Sequence, residues 1–432
     1  MRLVDVVTLK RGKTYKSALL GDKGMPLLGL ATIEREGGFR REKCKKYSGD
    51  SDSSLIVKSG EIYASLKDVT QSAHLLGSVA RLPPEVEEGR LTQDTVLLKI
   101  IDNAFDPSFL YWILRAPQTR RFFKSLATGT TNLGLSREDF LSLELPEATP
   151  ERIATSKTLD RIERLIELNR KSSEILEEMF KALFRSWFVD FDPVRAKAEG
   201  RSTGLPDEIS DLFPDSFEEA DLGKIPRGWQ CLPLADRAIY LSRGISPSYC
   251  EEGGVLVLNQ KCIRDSRVSF AKARRHDTTK RQISGREVKK FDALVNSTGV
   301  GTLGRVAMMP ACQEDVVVDS HVTVVRGSDD KESFFISSML LNRQAEIEAL
   351  GEGSTGQTEL ARAILGALQA TFPPSRLISA FFDCAHVAHG KIEANVQNSF
   401  ALARIRDTLL PKLISGELRI PDAERLLEEA GV

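Results

Sequence analysis

No apolar run in the sequence reaches the roughly 18 residues that a membrane-spanning helix needs. The opening stretch, Met-Arg-Leu-Val-Asp-Val-Val-Thr-Leu-Lys-Arg-Gly-Lys, lacks the long apolar core of a secretion signal. No membrane partner is expected, and cytoplasmic residence is the expectation that follows. The six cysteines (Cys44, Cys231, Cys250, Cys262, Cys312 and Cys384) are scattered and form no Cys-x-x-Cys pair. That argues against a zinc site or a disulfide framework and for reduced, structural thiols. The five histidines (His74, His276, His321, His386 and His389) make no metal constellation. His386 and His389 share a helical face but lack a third ligand nearby, so they read as a surface or seam pair. There is no Gly-x-Ser-x-Gly elbow and no Gly-x-x-x-x-Gly-Lys-Ser/Thr loop, so hydrolase and nucleotide-hydrolysing chemistry lose support.

Two further motifs fall short of the chemistry they suggest. Gly299-Val-Gly-Thr-Leu-Gly304 has the Gly-x-Gly-x-x-Gly spacing of a dinucleotide or S-adenosylmethionine loop. Such a loop must open a helix whose N-terminus receives phosphate. Here it runs into Arg305-Val-Ala-Met-Met-Pro310, too short for that helix and closed by proline, so a turn between two strands is expected. Asp190-Phe-Asp-Pro193 lacks the second proline and the aromatic of the amino-methyltransferase motif. It reads as a helix stop, with Pro193 steering Asp192 away from the helical region.

An excess of one charge is also missing: the net charge is −1 over 432 residues. Its distribution is uneven, which matters more than the sum. Between Lys261 and Arg286 nine Lys and Arg stand against two Asp, a balance of +7. Between Arg35 and Lys46 the balance is +4, six against two. From Phe191 to Ile225 nine acids stand against four bases, a balance of −5, which reads as an acidic linker.

The length suggests two to four domains at about 100–200 residues each, and the chain is written twice. Gly77-Ser-Val-Ala-Arg-Leu-Pro83 matches Gly304-Arg-Val-Ala-Met-Met-Pro310 at an offset of 227. Asp94-Thr-Val-Leu-Leu-Lys99 resembles the run from Asp319 to Arg326, and Ser108-Phe-Leu110 matches Ser333-Phe-Phe335, both at an offset of 225. Thr128-Gly-Thr-Thr-Asn-Leu133 is similar in kind to Ser354-Thr-Gly-Gln-Thr-Glu-Leu360. A common order and a nearly constant offset point to duplication. Each half reads as a mixed globular part with short β-branched runs, followed by a long helix.

The first helix has a 4-3 seam through Ile162, Ile166, Asn169, Ser173, Leu176, Phe180, Leu183 and Trp187. The second has one through Ile378, Phe382, Ala385, His389, Ile392, Val396, Ser399 and Ala403, and Pro411 is expected to end or kink it. An apolar seam needs a partner helix, and the nearest candidate is its own copy. The alternative is two ordinary core helices, each covering its own domain. A paired stalk of about 40 residues spans on the order of 60 Å, against about 34 Å for a turn of B-DNA. Such a stalk suits a ruler that holds two heads on a split target.

The run Lys181-Ala-Leu-Phe-Arg-Ser-Trp-Phe-Val-Asp-Phe-Asp-Pro-Val-Arg-Ala-Lys197 resembles the central region of the specificity (S) subunit of type I restriction–modification systems. Leu409-Leu-Pro-Lys-Leu-Ile-Ser-Gly-Glu-Leu418 is similar to that family's distal region. Leu258-Asn-Gln-Lys-Cys-Ile-Arg264 and Asn296-Ser-Thr-Gly-Val-Gly-Thr-Leu-Gly-Arg-Val-Ala307 resemble parts of its target-recognition domains. The resemblance implies an α+β chain with two similar α/β target-recognition domains, separated by two long helices paired as an antiparallel coiled coil. It also implies that each domain reads half of a bipartite target in double-stranded DNA. Two methyltransferase subunits and the motor-nuclease restriction subunits would dock on the chain. S-adenosylmethionine, ATP and magnesium would belong to those partners, leaving this chain with no cofactor, no metal and no catalytic residue. The first half lacks a close copy of the Asn-Gln-Lys-Cys segment, so its DNA preference should differ from that of the second.

The expected layout places heads at 1–148 and 226–372, a central helix at 149–190, the acidic linker at 191–225, and a distal helix and tail at 373–432. Candidate DNA-binding residues are basic or carry forked hydrogen-bonding groups. Lys and Arg neutralise phosphates, while Arg, Gln and Asn read base edges. In the first head they are Arg40, Arg41, Lys43, Lys45, Lys46, Gln71, Thr130, Thr131 and Asn132. In the second they are Asn259, Gln260, Lys261, Arg264, Arg274, Arg275, Lys280, Ser354, Thr355 and Gln357. Phe184, Trp187 and Phe188 end the first helix; they read as packing under the adjacent head, as a docking patch for a methyltransferase subunit, or as both. Two rivals stand beside this reading. One is an enzyme with a cofactor at Gly299–Gly304. The other is a coiled-coil scaffold, or a DNA-binding protein without a methyltransferase partner.

Overall fold

Short β-branched runs form strands at Thr95–Ile100, Val316–Val318 and Val322–Arg326, as their pattern predicts. The structure, a computed structural model, describes residues 1–102, 105–130, 132–351 and 359–415. Contacts divide it into two compact units, Met1–Arg170 with the chain from Gln397, and Lys171–Val396.

Seven strands organise the first unit: β1 (Val7–Arg11), β2 (Met25–Leu28), β3 (Lys46–Tyr47), β4 (Ile62–Ser65), β5 (Val79–Arg81), β6 (Glu88–Leu91) and β7 (Thr95–Ile100). One antiparallel sheet has the order β1-β7-β4-β5. A second puts β3 beside β2, and β2 parallel to β6. Helix α1 (Pro107–Arg115) starts on Asp106, whose carboxylate accepts from the Ser108 and Phe109 amides. It buries Phe109, Leu110 and Trp112 in the core that β1, β4 and β7 share. Helix α2 (Pro150–Phe188) begins in this unit.

The second unit repeats the plan with β8 (Tyr240–Arg243), β9 (Val255–Leu258), β10 (Arg274–His276), β11 (Ala293–Asn296), β12 (Val306–Met308), β13 (Val316–Val318) and β14 (Val322–Arg326). Its sheets have the order β8-β14-β11-β12, and β10 beside β9 with β9 parallel to β13. Helix α3 (Asp330–Asn342) follows, capped by Asp329.

The correspondence holds residue by residue. Ser65 opposes Thr95 as Asn296 opposes Val322. Ala64 opposes Val79 as Val295 opposes Val306. Gly12 and Gly244 follow β1 and β8, and a Cβ there would lie 2.0 Å from the Thr92 carbonyl oxygen and 1.9 Å from that of Val318. Only glycine permits so close an approach. The sequence repeat is therefore a repeat of fold.

Helix α4 (Ser375–Ser415) pairs with α2. In the first unit Leu159 and Ile162 of α2 share a core with Leu402, Leu409 and Leu410 of α4. In the second, Phe184, Trp187 and Phe188 share one with Leu377, Ile378, Phe381 and Ala385. The start of each helix meets the end of the other, so the pairing is antiparallel, as expected. The seam residues predicted from the 4-3 spacing are buried or half-buried throughout. Ser173 Oγ accepts from Asn395 Nδ2 at 3.3 Å inside the seam. Pro411 does not end α4. Burial of Leu409 and Leu410 holds the chain helical there, and Gln118 Nε2 donates to the Pro411 carbonyl at 3.1 Å.

Residues 191–225 are not an extended linker. They form helices Asp192–Ala198 and Asp207–Ser210, then most of a hairpin, Phe217–Ala220 with Gly223–Pro226. Val194, Phe213 and Ile225 are buried in the second unit's core. The acidic side chains are mostly exposed or half-buried, so the negative balance marks a wet face, not a tether. Asp192 opens a helix instead of leaving the helical region, because proline is favoured in a first helical turn. The six cysteines are free thiols. Among the described residues no helix is long and apolar enough to cross a membrane.

Candidate nucleic-acid interface

In the second unit, β9 runs into the short turn Gln260–Cys262. Asn259 is spent on holding that turn. Its Oδ1 accepts from the Lys261 amide at 2.8 Å, and its Nδ2 donates to the Lys272 carbonyl at 3.0 Å. Lys261 and Arg264 are left exposed on the rim, with Arg264 beside Asp265 at 3.4 Å. Strand β10 carries Arg274, which is exposed with its guanidinium 3.4 Å from the Tyr249 ring centroid, and Arg275, which pairs with Glu314 at 3.1 Å. Lys280 sits 3.5 Å from Asp277. Gln260 turns inward, where Thr298 Oγ1 donates to its Oε1 at 3.3 Å. The same Thr298 hydroxyl lies 2.7 Å from His321 Nδ1.

The first unit has the same element in other letters. After β2, Gly29 caps the turn Leu30–Thr32, in the place that Asn259 and Gln260–Cys262 take after β9. The backbone bond Arg40 N to Thr32 O, 2.9 Å, repeats Ser269 N to Cys262 O, 2.7 Å. The sequence comparison missed this because only flanking residues match, Leu28 with Leu258 and Ile33 with Ile263.

The two basic runs coincide in the fold. Lys46 on β3 opposes Pro26 on β2, as Arg275 on β10 opposes Leu256 on β9. Lys43, Lys45 and Lys46 are exposed and Arg40 is half-buried. Arg41 is already occupied, by Glu85 and by Glu167 of α2 at 2.9 Å, so it ties the head to its helix. Gln71, Thr130 and Asn132 are exposed on neighbouring loops, because strand Lys67–Asp68 pairs with Leu133–Gly134. Thr131, Ser354, Thr355 and Gln357 lie outside the described residues.

Gly299–Gly304 is a turn between β11 and β12, as its short continuation predicts, and opens no helix. It is pinned by Asn296, whose Nδ2 donates to the Gln260 and Thr302 carbonyls at 3.0 Å each. The matching loop after β4 is pinned by Asp68. Its buried carboxylate accepts from the Thr70 amide (2.7 Å), the Thr70 hydroxyl (2.8 Å) and the Leu75 amide (2.6 Å). Burial pushes the Asp68 pKa up, but these hydrogen bonds outweigh it and hold the group below the usual carboxylate range. Asp319, which caps the His321 amide at 2.9 Å, is pushed up by burial. No three His, Cys, Asp or Glu among the described residues gather as a metal site.

No family model matches the chain. It is 24% identical over 370 residues to the type I restriction enzyme HindI specificity subunit of Haemophilus influenzae, covering 72% of this chain and 77% of that one. It is 25% identical over 330 residues to the MjaIX specificity subunit of Methanocaldococcus jannaschii, covering 73% and 69%. Its fold matches the type I restriction–modification S subunit from M. genitalium with a TM-score of 0.64, at 16% identity over 96% of this chain and 95% of the other. The chain is similar to type I specificity subunits in sequence, and to one of them in fold.

The aromatic end of α2 packs into the core of the second unit. Phe184, Trp187 and Phe188 are 2%, 2% and 6% exposed. Phe188 lies 5.0 Å from Phe335 and 5.1 Å from Phe381 between ring centroids, and Trp187 lies 5.2 Å from Phe213. This is packing under the adjacent head, and the docking reading stands beside it as an expectation. Phe184 and Phe188 keep one edge on a surface cavity of about 390 Å³, shared with Val189, Leu222 and Arg343.

Proposed function

We propose that this chain is the noncatalytic DNA-specificity subunit of a type I restriction–modification complex. Each head reads one half of a bipartite double-stranded target, and the gap between the halves is fixed. One observation carries the reading: a duplicated head with a basic strand at the same place in each copy, β3 and β10. Lys43, Lys45 and Lys46 in one head, and Lys261, Arg264 and Arg274 in the other, are exposed cations suited to phosphates. Differing turns, Gly29–Thr32 and Asn259–Cys262, suit different half-sites. The names of the relatives support the role.

The chain delivers adenine-N6 methyltransferase subunits, two of them, and motor-nuclease restriction subunits to the site. S-adenosylmethionine, ATP and magnesium belong to those partners. The turn geometry of Gly299–Gly304 disfavours the rival cofactor loop, since no helix N-terminus follows it to receive phosphate.

The test is selection from random duplexes by the full chain with its methyltransferase subunit. Two short half-sites at a constant separation are expected. A single contiguous motif overturns the two-headed reading, and no selection at all favours the scaffold.

A further inference from the structure

At one edge of each head the backbone is the same and the side chains are not. In the second head this edge brings the end of β11 beside the start of β14. In the first it brings the end of β4 beside the start of β7. The Leu360 amide donates to the Ser297 carbonyl at 2.8 Å, as the Leu135 amide donates to that of Leu66 at 2.9 Å. The next residues, Thr298 and Lys67, bridge to Glu359 and Gly134. The turn into β14 closes with the Val322 amide on the Asp319 carbonyl, and the turn into β7 with the Thr95 amide on that of Thr92, at 3.2 Å each. The Gly244 amide donates to the Val322 carbonyl at 3.0 Å, as the Gly12 amide donates to that of Thr95 at 3.1 Å. Thr298 therefore takes the place of Lys67, and His321 that of Asp94, each one residue from a matched backbone bond.

What fills the two places differs in kind. In the first head Lys67 Nζ donates to Asp94 Oδ1 at 3.1 Å, an ion pair. In the second a chain of hydrogen bonds replaces it. Thr298 Oγ1 donates to Gln260 Oε1 at 3.3 Å and lies 2.7 Å from His321 Nδ1. A hydroxyl has one proton. With that proton on Gln260, the Thr298 oxygen accepts from His321 Nδ1–H. A neutral imidazole has one N–H, so the Nε2 of the ring is then a hydrogen-bond acceptor. The mount is rigid. The His321 amide donates to Asp319 Oδ1 at 2.9 Å, and its carbonyl accepts from the Ser297 amide at 2.8 Å. The Gln260 carbonyl accepts from Nδ2 of the buried Asn296 at 3.0 Å. His321 is exposed, and so is Lys261, which follows Gln260 in its turn and suits a phosphate. An oriented acceptor thus stands beside a proposed phosphate contact. A constant mount whose displayed groups change from head to head is what two different half-sites require.

We infer that His321 is a specificity residue of the second head, its Nε2 accepting a hydrogen bond from the exocyclic amino group of a base in the major groove. This rests on the DNA-reading role proposed above. Adenine N6 and cytosine N4 are the amino groups on that edge, whereas guanine and thymine present acceptors and a methyl there. An acceptor facing an acceptor repels, so the ring discriminates. Thr298 is a positioning residue, which selects the tautomer and holds the ring. The ion pair at the same place in the first head presents other groups, so that head prefers another base.

The experiment uses the full chain with its methyltransferase subunit and the duplex found by selection. Each adenine of the half-sites is replaced in turn by unsubstituted purine, and each cytosine by pyrimidin-2-one, which lack only the amino group. One such replacement, in one half-site only, should weaken wild-type binding about fivefold, the worth of one hydrogen bond, and should have no effect on His321→Ala. Whether that base is adenine or cytosine identifies the amino group read. Thr298→Val, which keeps the shape and loses the hydroxyl, should shrink the same loss and no other. The salt dependence of both variants should match the wild type, because no phosphate contact is removed. The inference is overturned if every amino-group loss persists in His321→Ala, or if no replacement weakens the wild type. Failure of the underlying reading looks different: no duplex is selected in the first place.

Discussion

Trp187 shows how one side chain changes its meaning once its neighbours are known. At the end of a helix it is a candidate docking anchor, but in the fold its ring faces Phe213, Phe188 and Phe381 at 5.2, 5.9 and 6.2 Å. Trp187→Ala should destabilise the second unit by about 3–5 kcal/mol, the usual cost of emptying a large buried site. Chemical denaturation of the full chain reads this. Loss of partner binding with stability intact would instead show a docking role. Arg41 makes the same point. A cation chosen for DNA is held by two carboxylates, one of them Glu167 on α2.

Among the elements, the helix pair carries an unusual polar stretch within the second unit. His389 of α4 lies 6.3 Å from the Phe291 ring and 5.8 Å from Phe334, with Glu393 Oε1 3.5 Å from its Nδ1. Burial pushes its pKa down to about 4, helped by Lys290 and Arg267. The folded chain therefore protonates His389 less readily than the unfolded chain does. Its contribution to stability is complete above pH 6.5 and is lost as the pH falls from 6.5 towards about 4. Glu393, pushed up by burial, acts with the opposite sign. Melting temperature should thus fall with pH over this window more steeply in the wild type than in His389→Gln, which keeps Glu393. Identical slopes would remove the histidine from the account. Asn395 and Ser173 pair in the same seam, a polar contact of the kind that fixes register.

For the whole molecule, the proposed ruler makes a quantitative demand. Seven residues added at matched points in α2 and α4 keep the seam in phase. They lengthen each helix by about 10 Å, equivalent to roughly three base pairs at about 3.4 Å each. Methylation mapping should show the unread gap enlarged by about that amount with both half-sites unaltered. A constant gap would mean that the helices do not set the spacing.

The sequence alone determined what depends on neighbours along the chain. A 4-3 seam specifies two long helices, since its period is local, though not where the second one ends. The β-branched runs mark some of the strands, and the offset of 225–227 reveals the duplication. The bar on a cofactor loop at Gly299–Gly304 also came from its short continuation. Only the tertiary structure decided what depends on strands pairing across long stretches of chain. It aligned Gly29–Thr32 with Asn259–Cys262, turned the acidic stretch 191–225 into part of a core, and buried Phe184, Trp187 and Phe188. The reason is physical: register and burial are fixed by backbone bonds and packing between residues far apart in sequence, and identical folds impose them on letters that need not match.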